Sequence, residues 1–304
     1  MTVGKNTLPI RVTAEDGSEK IYNVNITRKR EATSLKNEIM KNKIITAEPT
    51  LTTSSNNTSD ASGLYASTAT NTGKPTYYFR GNIENNYVNF AGFTWRIVRV
   101  NEDGTIRIIM QDGINNNARY QFNLNNSNYT HMYYSNSEVK TQLENWYQTN
   151  IGSKLDLAKN VVSGAYYCEQ AKAKQSDSAT SGSATMTTYN KYTPDFKCSS
   201  DGNGKGLVNA NVGLLNYDEV VYAGGYTNQN NSNYYLNNPV IYWWTMSPAG
   251  FSGSFSNVWI VNSTGSVSDT YVVNSRHLRP VLSLNADTQI SDGDGSKENP
   301  FVVS

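Results

Sequence analysis

The stretch Tyr242-Trp243-Trp244-Thr245-Met246-Ser247-Pro248 opens the most patterned part of the sequence. Val258-Trp259-Ile260-Val261 follows it, and Leu278-Arg279-Pro280-Val281-Leu282-Ser283-Leu284 closes the region. Short apolar runs separated by Gly, Asn and Ser are typical of strands joined by turns. We therefore predict a series of short strands here. We assign the indole rings of Trp243, Trp244 and Trp259 to the core.

Upstream, the pattern predicts two hairpins, over residues 7–28 and 93–109, and a few helices. Residues 7–28 alternate apolar and polar side chains around Asp16-Gly17, which predicts a β-hairpin. Residues 33–44 predict a short helix capped by Ser34. Ser135 and Glu138 form a capping-box pair before a second helical pattern, and Leu214–Ala223 predicts another helix. The acidic pair Asp218-Glu219 is interpreted as one turn of a solvated helix.

The tail resembles the C-type lectin fold in its Trp-Trp-x-x-Ser-Pro start, its Val-Trp-x-Val middle and its Arg-Pro-Val-Leu-x-Leu close. It is similar to surface proteins of gut Firmicutes and, more distantly, to the variable proteins of diversity-generating retroelements. The likeness extends upstream to Tyr77. It implies an α+β domain over residues 77–304, with two helices, small antiparallel sheets and much irregular loop.

The same resemblance implies a ligand-binding window within residues 242–280. In the retroelement proteins the corresponding positions face solvent and accept substitutions. Carried over to this chain, they are Ala249, Phe251, Ser252, Ser254, Phe255, Ser268, Asp269, Tyr271, Asn274, Arg276 and His277.

Phe251 and Phe255 lie in the segment Gly-Phe-Ser-Gly-Ser-Phe-Ser. Aromatic rings among small residues resemble an antibody paratope, in which the rings bind and the small residues adapt. If the segment exposes these rings, they need a partner. The alternative is that one or both pack inward as part of the core.

The N-terminal hairpin resembles the last two strands of a bacterial cadherin-like β-sandwich repeat, on Val12-Thr-Ala-Glu-Asp-Gly and Tyr22-Asn-Val-Asn-Ile-Thr-Arg. Residues 1–30 are thus expected to be a remnant of such a repeat. Residues 31–76 are expected to contain the short helix and a polar segment, which serves either as a linker or as a strap over the next domain.

Charge and composition exclude several classes of protein. The 26 basic and 25 acidic residues give a net charge of +1, without the basic face that nucleic acid requires. Apolar runs are too short to span a bilayer. Low charge and 21 tyrosines are typical of extracellular surfaces. Two cysteines, Cys168 and Cys198, predict one disulfide in an oxidising compartment, although two unrelated thiols are the alternative.

Known catalytic and metal-binding patterns do not occur in the sequence. The two histidines, His131 and His277, form no zinc motif with each other or with the cysteines, and we expect no metal and no cofactor. The Glu-Pro-Asn and Trp-Asn-Asp elements of calcium-dependent lectins do not occur either. Arg279 is interpreted as a structural residue that forms an ion pair.

These observations favour a non-enzymatic extracellular binding module of the adhesin or receptor type, on a bacterial surface, secreted, or on a phage particle. Its partner would be a protein or glycan ligand. Two alternatives stay open: a structural cap of a surface stalk without a selective ligand, and an enzyme of cell-wall or glycan processing.

Overall fold

The protein is rich in β-structure. A computed structural model describes residues 4–28, 32–49, 51, 60–169, 174–175, 186–187, 194–198, 206–252 and 255–304. Strands account for 40% and helices for 17%, with five α-helices in the described part of the chain. The predicted two-helix α+β fold of the C-type lectin type is therefore wrong. The short apolar runs of the sequence each form a separate strand, and these strands join into large sheets.

The strands in the described residues run along the whole chain. They are β1 Gly4–Thr13, β2 Glu19–Arg28, β3 Thr33–Ser34, β4 Ile44–Ile45, β5 Gly63–Ser67, β6 Thr76–Arg80, β7 Tyr87–Phe90, β8 Phe93–Val100, β9 Ile106–Met110, β10 Arg119–Gln121, β11 Ala165–Cys168, β12 Lys174–Gln175, β13 Met186–Thr187, β14 Leu207–Ala210, β15 Tyr226–Thr227, β16 Trp243–Ser252, β17 Phe255–Val261, β18 Ser266–Tyr271, β19 Ser275–His277, β20 Val281–Leu284, β21 Gln289–Asp292 and β22 Phe301–Val303.

The helices are short. They are α1 Leu35–Ile39, α2 Ile114–Asn117, α3 Glu138–Tyr147, α4 Leu155–Ala158 and α5 Tyr217–Ala223, with 3-10 turns at Tyr129–Met132 and Tyr134–Asn136 and a π-turn at Gln148–Gly152. Helix α3 begins after Ser137, whose side chain accepts a hydrogen bond from the Lys140 amide. The cap is therefore Ser137 rather than the predicted Ser135, whose hydroxyl donates to Glu169.

The N-terminal hairpin forms as predicted. Strands β1 and β2 pair in antiparallel register, with Ile10 opposite Tyr22 and Leu8 opposite Val24. Opposed residues in a hairpin share one face. Asp16 accepts hydrogen bonds from the Ser18 amide and hydroxyl, which fixes the turn.

A ten-stranded sheet forms the centre of the molecule. Its main path is β3-β21-β22-β7-β8-β6-β5-β4, and β9 and β20 extend it from β8. Strands β3, β4 and β5 belong to this sheet, and Leu35 and Ile39 of α1 are buried in the core. The domain boundary predicted at residue 77 thus falls within strand β6 of a continuous sheet.

An eight-stranded sheet holds the predicted binding window. Its order is β10-β19-β16-β17-β18-β15, with β13 pairing both β12 and β16. Trp243, Trp244 and Trp259 are buried between this sheet and its neighbours. Trp244 donates its indole N–H to the carbonyl of Tyr120, so its polar atom is satisfied as well.

Candidate functional site

The two phenylalanines of the window have opposite environments. In the β16–β17 hairpin, Phe251 pairs with Ser256 and Ser252 pairs with Phe255. Adjacent residues of a strand point to opposite faces, so the two rings lie on opposite faces of the hairpin. Phe251 is 1% exposed and contacts the Tyr129 ring, whereas Phe255 is 43% exposed.

Three of the predicted ligand contacts are therefore corrected. Ala249, Phe251 and His277 are buried and cannot face a ligand in this conformation. The Nδ1 atom of His277 lies 3.0 Å from the backbone nitrogen and 2.7 Å from the carbonyl oxygen of Tyr242, so the tautomer of the ring decides whether it accepts from the first or donates to the second. Burial lowers the pKa of His277, which favours the neutral ring.

An exposed aromatic pair remains. The rings of Phe255 and Tyr271 are 5.0 Å apart between centroids, and Tyr271 is 44% exposed. Beside them the exposed Asp269 accepts a hydrogen bond of 3.1 Å from Asn257, and Asn257 is opposite Tyr271 in the register. We call these four residues the aromatic surface.

The other window residues lie around this surface. Asn274 and Arg276 both donate to the Thr270 hydroxyl, at 2.7 and 3.3 Å. Ser268 is half-buried on β18. Ser252 is the strand residue that pairs with Phe255, and Ser254 lies outside the described residues.

A cavity of about 620 Å³ opens on the ten-stranded sheet, away from the residues of the window. A volume of that size is typical of small-molecule sites. Its floor is a row of three side chains on adjacent strands, since Arg99 is opposite Arg107 and Arg107 is opposite Ser283. The exposed ring of Tyr166 and the half-buried ring of Phe196 line its walls.

One carboxylate holds the two arginines of the floor together. Glu219 Oε1 is 3.0 Å from both Arg99 Nε and Arg107 Nη1, and all three side chains are largely buried. Burial opposes ionisation of Glu219, but Arg107 and Arg99 outweigh it and lower its pKa. Burial also lowers the pKa of Arg99, to about 10, although Glu219 opposes this shift.

The acidic pair of α5 is therefore not a solvated turn, because Asp218 is 1% and Glu219 2% exposed. Glu219 also closes a capping box with Asn216: Asn216 Oδ1 accepts from the Glu219 amide, and Glu219 Oε2 accepts from the Asn216 amide. The Asn-x-x-Glu spacing was the signal that could have placed this carboxylate at the helix start. Its pairing with two arginines more than 110 residues away left no local signal.

The predicted disulfide is confirmed. Cys168 and Cys198 are bonded, with Cα atoms 5.7 Å apart, and both residues line the cavity. Phe196, two residues before Cys198, lies between Tyr222, 4.1 Å away, and the guanidinium of Arg99, 4.9 Å away. The disulfide thus joins the wall that carries Phe196 to strand β11 of the two-stranded β11–β14 sheet.

Arg279 is fully buried but has different partners from those expected. Its guanidinium donates to the carbonyls of Met110 and Leu236 and lies 5.0 Å from the Trp243 ring. In the described part of the chain no carboxylate forms a salt bridge with it. The predicted ion pair is wrong, since carbonyl dipoles and an indole face take its place.

Within the described ranges, no three His, Cys, Asp or Glu side chains are grouped as metal ligands would be. None of the helices in the described part of the chain has the length and apolar character that a membrane crossing requires.

The comparisons with known proteins define the family. The family model of a domain of unknown function, DUF6273, matches residues 103–286, and the chain belongs to this family. The matched range contains Arg107 and Ser283 of the cavity, Glu219, which binds Arg107, and the aromatic surface. No curated protein and no solved structure matches the chain.

Proposed function

We propose that this chain is a non-enzymatic, extracellular ligand-binding module of the adhesin or receptor type. Its ligand, a protein or a glycan, binds at the aromatic surface. The observation that carries the proposal is the exposed pair of Phe255 and Tyr271 on paired strands, whose rings contact each other in a tilted arrangement.

Packing energetics support a binding role for this pair. Each ring leaves more than two fifths of its surface in water, although the same hairpin buries Phe251 completely. Burying such rings against a partner would recover the hydrophobic free energy that folding leaves unused. Their mutual contact restricts their rotamers before binding, which lowers the entropic cost of association.

The polar neighbours of the pair favour a partner with hydrogen-bonding groups. Asp269 and Asn257 are joined side by side, and Arg276 lies close to Thr270 on the adjoining strand segment. A polar rim around an aromatic centre is the usual anatomy of a recognition surface. Both a protein loop and a glycan chain offer matching groups.

The disulfide supports the extracellular location. Disulfides persist in oxidising compartments and are rare in the cytosol. A bacterial cell surface, a secreted form and a phage particle all meet this condition.

The electrostatics of the cavity support a binding role rather than catalysis. Glu219 is the carboxylate that contacts the two arginines of the cavity floor, but its Oε1 is bound by both guanidiniums and its Oε2 by the Asn216 amide. A carboxylate held in this way has a lowered pKa and is a poor general base.

The proposal is tested by array binding. Labelled wild-type protein, a Phe255→Ser/Tyr271→Ser double variant and a Leu155→Ser control would be applied to glycan and surface-protein arrays. Leu155 is 84% exposed on α4 and belongs to neither site. We expect the double variant to lose at least about tenfold in binding to the ligand retained by the wild type, as for interface hot spots. Equal binding by the double variant would overturn the site assignment.

Retroelement diversification of this surface is a further part of the proposal. Sequencing many copies of codons 242–280 from the source population would test it. We expect variation at Phe255, Asp269 and Tyr271, and constancy at the buried Ala249 and Phe251. Uniform codons at the exposed positions would exclude diversification in that population.

A structural cap is a second candidate, and the N-terminal hairpin favours it. Leu8, Ile10 and Val12 share one face with Tyr22 and Val24, and each is 39–50% exposed. An apolar face on a two-stranded ribbon is typical of a sheet that packs against another layer. This candidate predicts that the arrays retain no ligand.

A further inference from the structure

Strand β18 is an edge strand over most of its length. Its neighbour β15 pairs with it only at Ser266 and Val267, whereas β17 pairs with it as far as Tyr271. Within the described part of the chain, no strand pairs with residues 268–271 on the side away from β17. These residues are half-buried or exposed. The eight-stranded sheet therefore has an open edge next to the aromatic surface.

The register determines which backbone groups point to this open edge. The Val272 amide donates to the Ser256 carbonyl, directly beyond the last pair of the β17–β18 register, so the even-numbered residues are the ones bonded to β17. Hydrogen-bonded and non-hydrogen-bonded pairs alternate along an antiparallel ladder. Asp269 and Tyr271 therefore point their backbone groups away from β17. The carbonyl of Val267, the preceding odd-numbered residue, points the same way, because it accepts a hydrogen bond from the segment after β15.

Three backbone groups on this edge have no partner from another residue among those that the structure describes. They are the amide and the carbonyl of Asp269 and the amide of Tyr271, since the Tyr271 carbonyl accepts from the Asn274 amide. The Asp269 amide contacts only its own carboxylate. Proteins usually protect such an edge with Lys, Pro or a β-bulge. The open part of β18, Ser-Asp-Thr-Tyr, has none of these.

The side chains beside the edge define what an added strand has to present. Asp269 and Tyr271 are two residues apart and both exposed, so they share the solvent face, and Phe255 lies beside Tyr271. A residue opposite Tyr271 would extend this cluster of rings, which favours an aromatic or β-branched side chain. A residue opposite Asp269 would meet a carboxylate that is hydrogen-bonded to the neutral Asn257, which favours Lys or Arg.

The spacing of the unpaired groups matches a polypeptide. Donor, acceptor and donor follow one another along residues 269–271, at the strand repeat of about 6.8 Å for two residues. An extended peptide carries the complementary groups at the same repeat. A glycan has hydroxyls but no such repeat, so this edge selects a peptide.

We infer that the edge binds an extended segment of a partner protein, which adds to the sheet as a strand beside β18. The segment runs antiparallel to β18, since antiparallel pairing is slightly more stable per residue. It carries an aromatic or β-branched residue opposite Tyr271 and, two residues later, Lys or Arg opposite Asp269. The inference rests on the proposed function, because it names a polypeptide as the ligand of the aromatic surface.

The test uses blocked pentapeptides of the form acetyl-Thr-X-Thr-Z-Thr-amide, at millimolar concentration. X is Phe, Tyr, Val or Ile, and Z is Lys or Arg, with Glu at Z as the matched control. Two further forms carry an N-methyl group, either on Z, whose amide would donate to the Asp269 carbonyl, or on the central Thr, whose amide would face solvent. The full chain, as wild type and as the Phe255→Ser/Tyr271→Ser double variant, would be labelled with nitrogen-15 for NMR.

We expect at least one Lys or Arg peptide to bind the wild type, and its Glu counterpart to bind about fivefold more weakly because two carboxylates would be opposed. N-methylation of Z should weaken binding at least about tenfold, since it removes a hydrogen bond and adds a collision, whereas N-methylation of the central Thr should not. Saturating peptide should slow hydrogen exchange at the Asp269 and Tyr271 amides and leave Ser268 and Thr270, which are already paired with β17, unchanged.

Strand addition is overturned if no peptide binds the wild type, if N-methylation of Z has no effect, or if exchange at Asp269 and Tyr271 stays the same. The proposed function would survive those results if the double variant still lost the ligand retained on the arrays. Equal binding of the peptide by the wild type and the double variant would overturn the inference by a different route, because the rings would then take no part in recognition.

Discussion

Replacing Glu219 by glutamine should destabilise the protein more than any other single loss of a carboxylate discussed above. Arg99 and Arg107 are directly opposed on β8 and β9, and like charges in that position repel. Glu219 Oε1, 3.0 Å from each guanidinium, offsets the repulsion. The glutamine amide keeps an oxygen for the Asn216 N–H but leaves two buried cations without a counter-charge.

The size of the expected destabilisation follows from the burial of Glu219 and its two arginine partners. Removing one partner of a buried ion pair costs about 3–5 kcal/mol. For a domain of more than 200 residues, roughly 2 °C of thermal midpoint corresponds to 1 kcal/mol. Glu219→Gln should therefore lower the midpoint by about 6–10 °C at pH 7.

The loss of stability caused by Glu219→Gln should depend on pH in a defined direction. Because the pKa of Glu219 is lowered in the folded state, its contribution to stability is full above the unfolded pKa of about 4.3. That contribution is lost as the pH falls through the folded pKa. The difference in free energy of unfolding between wild type and Glu219→Gln should therefore be constant from pH 7 to pH 6 and should narrow below about pH 4.

The assay is urea unfolding followed by tryptophan fluorescence at pH 7 and below pH 4, with Glu144→Gln as the control. Glu144 forms an exposed i,i+4 pair with Lys140 on α3, and such pairs contribute about 0.3–0.5 kcal/mol. If Glu219→Gln cost no more than Glu144→Gln, the proposed role of Glu219 in the floor would be refuted. If the difference in free energy of unfolding between wild type and Glu219→Gln stayed constant below pH 4, this would refute the assignment of Glu219 as ionised in the folded protein.

Four further variants test other parts of the fold. Replacing Cys168 and Cys198 by serine should lower the free energy of unfolding by about 3–4 kcal/mol, because the bond closes a loop of 30 residues; a loss below about 1 kcal/mol in urea would contradict this. Gly265→Ala should cost at least ~2 kcal/mol by the same measurement, since its φ is +76° and an added Cβ would collide with a backbone carbonyl. Phe251→Ala should cost about 3–5 kcal/mol and Phe255→Ala less than about 0.5 kcal/mol. Similar losses for the two phenylalanines would contradict their placement on opposite faces.

Local patterns predicted the elements whose partners are close in sequence. The alternation around Asp16-Gly17 predicted the hairpin, which forms with Ile10 opposite Tyr22. Helical spacing predicted α3, and Val139, Leu143 and Trp146 are buried on its inner face. In both cases the periodicity and the partners lie within one segment, so the sequence carries the information directly.

The same local patterns could not predict which distant strands pair with each other. Strand β22 at the C-terminus pairs in parallel with β7, more than 200 residues earlier, and β3 pairs with β21. Two- and three-residue strands of this kind have no periodicity of their own, and their partners supply the register. The fold class predicted from the tail was wrong for this reason, because the prediction rested on single strands rather than on how they pair.

The candidate site likewise combines residues that the sequence could identify with an arrangement that only the fold determines. Composition could identify Phe251 and Phe255 as notable rings, but only the register Ser252↔Phe255 decides which of them is exposed. Similarly, Arg99, Arg107 and Ser283 lie on three different segments, and the sheet alone aligns them. Their polar chemistry was visible in the sequence, whereas their arrangement was not.

Fluorine NMR of protein labelled with 4-fluorophenylalanine tests the central claim most directly. The chain has eight phenylalanines, so single-site variants can assign every resonance. We predict that the Phe255 resonance shifts between H₂O and D₂O and moves again when the ligand retained on the arrays is added, while Phe251 responds to neither. A Phe255 resonance that is insensitive to solvent and to that ligand would contradict the claim that the aromatic surface is the binding site.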